Sequence, residues 1–101
     1  MNEVGHLGDT EIARATGAAA STVRAWLVGS RAPTGERAER LVELSALIER
    51  LARVMDPSYI AIWMRKPVPA LGDDKPLDVI GRGEYRRVAK LLSALEESPV
   101  T

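Results

Sequence analysis

The sequence predicts an all-α fold, on three observations. Apolar residues recur at three- and four-residue spacing over most of the chain, no segment alternates apolar and polar residues, and Gly or Pro punctuates each periodic stretch. The expected architecture is a short N-terminal helix pair joined to a long central helix over residues 1–55, followed by a C-terminal helical module over residues 56–101.

Taken in order, residues 1–8 are Gly-containing and read as a frayed start. Asp9 stands at an N-cap position, Glu11 suits the positive helix end, and Ile12, Ala13 and Ala15 give a short helix that stops near Gly17. A second helix is predicted over Ala20–Val28, with Val23, Trp26 and Leu27 on one face and Gly29 as its terminator. Arg31–Gly35 is a loop, broken by Pro33, with Thr34 as a cap.

The strongest periodicity runs from Glu36 to Met55, where Leu41, Leu44, Ile48, Leu51 and Met55 follow 3-4-3-4 spacing. A helix of that length spans about 30 Å. Its apolar seam suits either the chain's own core or a second copy of the chain. Asp56-Pro57 starts a helix carrying Tyr59, Ile60, Ile62, Trp63 and Met64, which ends before Pro67. Residues 67–76 form a proline-rich loop. Pro76–Ile80 reads as one or two helical turns closed by Gly81 and Gly83, and Glu84–Glu96 as a final helix with Val88, Leu91, Leu92 and Leu95 on one stripe.

Composition bounds the function. The chain has 101 residues, 46% of them apolar but none phenylalanine, so aliphatic side chains fill a small core that association would help. Fourteen basic and fourteen acidic residues cancel, so only local charge argues for nucleic acid. The absence of cysteine excludes disulfides and thiolate metal sites. No basic and apolar leader and no apolar run near 20 residues is seen, so no membrane association and a cytoplasmic location are expected.

No cofactor and no enzymatic activity are expected. His6 stands alone, which does not make a metal site. Asp73, Asp74 and Asp78 flank loop prolines without a catalytic companion and read as solvated loop and helix cap. Gly81-Arg82-Gly83 is too short to cradle a phosphate. Trp26 and Trp63 sit among apolar neighbours at helical spacing and read as core.

The N-terminal pair has the pattern of a helix-turn-helix. Such a unit needs a small residue where the helices cross, a turn residue tolerant of positive φ, and an apolar residue pinning the second helix on the first. Ala13, Gly17 and Val23 stand at those offsets, and Ile12 and Trp26 fill the remaining apolar slots. Between Ile12 and Gly35 there are three arginines (Arg14, Arg24, Arg31) and no acidic residue, which predicts a locally positive surface. Residues 9–44 resemble the Xre-type helix-turn-helix of phage-repressor-like regulators. The resemblance implies operator DNA as a partner, with Ala20, Ser21, Arg24 and Ala25 facing the major groove. Arg24, the one long donor among them, would hold a guanine edge or a phosphate, Ser21 and Thr22 would contact the backbone, and Arg31 joins the DNA-binding residues. Two features depart from that pattern: Ala19 replaces the usual Ser or Thr cap, and the helix that ordinarily precedes the pair is missing or reduced.

The C-terminal module carries Ile62-Trp63-Met64, Lys66-Pro67, Leu71-Gly72, Lys75-Pro76-Leu77-Asp78 and Arg82-Gly83-Glu84-Tyr85-Arg86-Arg87-Val88. This order, behind a helix-turn-helix, resembles the toxin-binding domain of the Xre/MbcA/ParS antitoxin family. The resemblance implies a non-enzymatic antitoxin that dimerises, represses its own operon, and neutralises a cognate toxin of the NAD-consuming RES-domain type, or an ADP-ribosylating enzyme, by covering its active site. Carried onto this chain, the toxin-facing residues are Tyr85, Arg86, Lys90, Ser93, Glu96, Glu97, Ser98, Pro99, Val100 and Thr101. One physical feature points the same way. Glu96 and Glu97 lie at the negative end of the last helix, which is unfavourable unless a cation meets them. The alternative is an Xre-type transcriptional regulator whose C-terminal half only dimerises.

Overall fold

The computed structural model describes residues 7–97. Helix α1 spans Asp9–Thr16. Its N-cap is Gly8, one residue before the expected Asp9, because Glu11 folds back to accept the Gly8 amide at 2.6 Å. Leu7 is buried, so the core begins inside the stretch read as frayed. Gly17 ends α1 in the left-handed region at φ 80°. The buried Thr16 hydroxyl donates to the Ile12 carbonyl at 2.8 Å and accepts the Ala18 amide, which fixes the turn.

Helix α2 spans Ala20–Leu27 and begins at Ala19 without a side-chain cap, as the missing hydroxyl foretells. Helix α3 spans Gly35–Leu51, shorter than predicted, because residues 52–55 leave the helix in a succession of turns. Helix α4 spans Pro57–Met64, capped by Asp56, whose carboxylate accepts the Ser58 amide at 2.8 Å. A 3₁₀ turn at Pro69–Leu71 follows, then α5, Pro76–Gly81, and α6, Tyr85–Glu97. Among the described residues there is no strand beyond an isolated antiparallel bridge between Val68 and Asp74. The all-α prediction holds.

The buried side chains form one continuous cluster. Ile12, Val23 and Trp26 come from the first two helices, Leu41, Leu44, Leu47, Ile48 and Leu51 from α3, and Leu77, Ile80, Val88 and Leu92 from the last two. Four members of the predicted α3 seam, Leu41, Leu44, Ile48 and Leu51, thus point into the chain's own core and are not free to pair with a second copy. Helix α1 lies between α2 on one side and α5 on the other, and rests on α3.

Ion pairs join the first helix to the C-terminal half of the chain. Arg14 of α1 meets Asp78 of α5 at 3.1 Å, and Glu11 meets Arg65 beyond α4 at 2.8 Å. Asp78 lies in the first turn of α5 but is not its cap, which is Lys75. Arg40 of α3 donates to the Gly81 carbonyl at 3.0 Å, where the negative end of α5 needs donors.

Candidate nucleic-acid and partner interfaces

The first candidate surface is the solvent face of α2. Val23 and Trp26 lie three residues apart on the buried face, so Ser21, Arg24 and Val28, which stand one, two or five residues from them, turn outward. Ser21, Arg24 and Val28 are exposed, while Ala20, Thr22 and Ala25 are half-buried. The stripe Ser21–Arg24–Val28 therefore carries one long polar side chain, as predicted.

The electrostatics are less positive than the sequence suggests. Arg24 donates through Nη1 to Asp9 Oδ2 at 2.7 Å. That guanidinium, helped by the Thr10 amide, holds the Asp9 carboxyl below its ordinary pKa. Arg14 is matched by Asp78. Of the three arginines between Ile12 and Gly35, two are thus met by carboxylates lying outside that interval. Arg31 is exposed, and among the described residues no ion pair engages it. The expected positive surface corresponds to Arg31 with, just beyond it, the exposed Arg37, which is likewise without an ion pair.

The second candidate surface is α6. Its inward stripe is Val88 and Leu92, with Tyr85 and Ala89 half-buried against the core. Tyr85 is therefore partly a packing residue. Arg86, Lys90 and Glu97 are exposed, and no ion pair engages them among the described residues. Ser93 and Glu96 have a partner that sequence alone did not supply. Arg50 of α3 grips Glu96 through both carboxylate oxygens, at 2.7 and 3.1 Å, and donates to the Ser93 hydroxyl at 3.0 Å. Hydrogen bonding from Arg50 holds the Glu96 carboxyl below its ordinary pKa. The cation that the negative helix end requires is thus intramolecular. Ser98, Pro99, Val100 and Thr101 lie outside the described residues.

The α5–α6 corner presents a charged rim. Arg82 bridges Asp74 at 2.9 Å and Glu84 at 3.5 Å, and Arg87 pairs with Glu84 at 2.6 Å while donating to the Leu71 carbonyl at 3.0 Å. Hydrogen bonding from Arg87 lowers the Glu84 pKa. Beside this rim, Ala70, Leu71, Arg87, Lys90, Leu91 and Ala94 line a shallow groove between α6 and the 3₁₀ turn. Leu95 adds an exposed apolar side chain near the end of α6. The sequence reading missed this groove, because the Ala70–Leu71 side comes from a loop with no periodicity. No His, Cys, Asp and Glu group suited to a metal ion occurs among the described residues, and no described helix is long and apolar enough to cross a membrane.

Residues 51–97 match the family described as the antitoxin Xre/MbcA/ParS C-terminal toxin-binding domain. The chain is 32% identical over 87 residues to the mycobacterial cidal antitoxin MbcA of Mycobacterium bovis and of Mycobacterium tuberculosis, covering 86% of this chain and 77% of the relative. Its fold is similar to a chain in the crystal structure of the M. tuberculosis MbcT-MbcA toxin-antitoxin complex, with a TM-score of 0.83 and 30% identity over 96% of this chain and 87% of that one. The likeness runs through the helix pair, the central helix and the C-terminal module together, and the chain belongs to the Xre/MbcA/ParS antitoxin family.

Proposed function

We propose that this protein is the antitoxin of a two-component toxin–antitoxin system, and that it acts by occlusion rather than by chemistry. The observation that carries this reading is the similarity, over nearly the whole chain, to a protein crystallised with its toxin. The solvent face of α6 supports it. Among the described residues no ion pair engages Arg86 or Lys90, and the neighbouring groove joins Leu91 and Ala94 to Ala70 and Leu71. An apolar strip beside unpaired charge is the composition of a specific protein contact. The partner is a cytoplasmic toxin of the NAD-consuming RES type, and the segment from Arg86 through Thr101 covers its active cleft.

In the same reading the protein represses its own operon as a homodimer. Helix α2 reads a major groove through Ser21, Arg24 and Ala25, with Arg31 on the phosphates. One copy offers few cations, so two recognition helices about 34 Å apart are needed for useful affinity.

Co-expression with the protein encoded beside it tests the first part. Growth arrest should be relieved and a stable complex should co-purify. Arg86→Glu with Lys90→Glu should weaken that complex by at least tenfold in Kd while leaving the melting temperature within a few degrees. Failure to bind any product of its own operon would refute the antitoxin role. The DNA role is tested separately, by a gel shift on the protein's own upstream DNA at several salt concentrations.

A further inference from the structure

Arg24 is the one long donor on the exposed stripe of the recognition helix, and it does not stand free. Asp9, at the start of the other helix of the pair, accepts its Nη1 at 2.7 Å. Among the described residues this is the only hydrogen bond Arg24 makes through its side chain, so Nε and Nη2 remain available. The arginine side chain is 61% exposed and the aspartate 29%, so much of the paired arginine still meets solvent. Asp9 is itself held in the first turn of α1, where the helix dipole favours a carboxylate.

A free arginine on a surface helix samples many rotamers and loses that freedom when it binds. A guanidinium held by one nitrogen has already lost part of it, and its planar fork still offers two parallel donors. Such a fork matches the N7 and O6 acceptors of guanine. Phosphates make no comparable geometric demand and are repelled by the carboxylate beside the arginine. Resting on the DNA-binding reading above, we infer that Asp9 is a specificity-determining positioning residue, which aims Arg24 at a guanine edge and disfavours contacts made to the backbone alone.

The test uses the full chain and a random-sequence duplex library. Duplexes enriched by the wild-type protein are compared, by fluorescence anisotropy, with versions in which each guanine of the enriched motif is changed in turn to adenine, and with the unselected library. For Asp9→Asn, the preference for guanine at one position should fall about tenfold while affinity for the unselected library rises. Asp9→Glu should restore part of the preference. Arg24→Lys, which keeps the charge but loses the fork, should abolish the same preference and serves if Asp9→Asn fails to fold. An unchanged guanine preference in folded Asp9→Asn would make the ion pair merely structural and overturn the inference. So would a rise in affinity for all duplexes with the preference intact, since Asp9 would then only mask Arg24. A wild-type chain that enriches no motif overturns the DNA-binding reading itself, a result distinct from either of these.

Discussion

Gly81 of α5 rests on the backbone of Arg14 in α1 so closely that a Cβ at position 81 would lie 2.5 Å from the Arg14 carbonyl oxygen. The approach joins α5, in the C-terminal half, to the first helix of the N-terminal pair. Replacing Gly81 with Ala gains up to about 1 kcal/mol of helix propensity. The clash is with backbone, which cannot rotate away, and overpacking of this kind costs about 1–3 kcal/mol. Gly81→Ala should therefore lower the melting temperature by several degrees, taking about 4–8 °C per kcal/mol for a domain of this size. A melting temperature at or above that of the wild type would mean that α1 and α5 do not meet in this way.

Ala19 leaves the first amides of α2 without a side-chain acceptor, although its backbone, at φ −70° and ψ 151°, already has the extended geometry of a cap. Ala19→Ser should thus stabilise the protein by about 1 kcal/mol. Urea denaturation would read this as a higher midpoint at constant slope. No shift would indicate that water satisfies those amides equally well.

Leu47 is fully buried in α3, within the continuous core cluster. Leu47→Ala should cost about 2–5 kcal/mol, a large part of the roughly 5–15 kcal/mol available to a domain. The variant should show a much lower denaturation midpoint. A loss below 1 kcal/mol would contradict the packing described for α3.

Acid should weaken the ion pairs that hold α6 and α2. Hydrogen bonds from Arg50, Arg87 and Arg24 lower the pKa of Glu96, Glu84 and Asp9 respectively. A carboxylate whose folded pKa is depressed contributes stability above its unfolded value and loses it as pH falls through the folded one. Melting temperature should therefore decline as pH drops below the ordinary carboxylate range, modestly because the groups are exposed, and less so in high salt. The double variant Glu84→Gln, Glu96→Gln should flatten that decline. An unaltered acid limb would mean these pairs contribute nothing to folding.

Much of the helical layout was legible in local pattern. The spacing Leu41, Leu44, Ile48, Leu51 announced α3 and the side it buries, and Asp56-Pro57 announced the start of α4, because cap chemistry and apolar period are written in neighbouring residues. The N-terminal helix pair and its turn were equally visible, since Ile12, Gly17, Val23 and Trp26 answer to steric demands a few residues apart. The ends of elements were less so. Glu11 moved the start of α1 from Asp9 to Gly8, and α3 stopped at Leu51 although Met55 continued its period.

By itself, the chain of residues determined which segments are helical, which faces are apolar, and what order of elements the family shares. Tertiary structure alone decided who meets whom across long separations: Asp9 with Arg24, Arg14 with Asp78, and Arg50 with Glu96 and Ser93. The reason is physical. An apolar stripe specifies that a face is buried but not against what, and a charge on a helix accepts any opposite charge within reach. Only the packing of α5 against α1, and of α6 against α3, selects the partner, and with it which arginines and glutamates remain for another molecule.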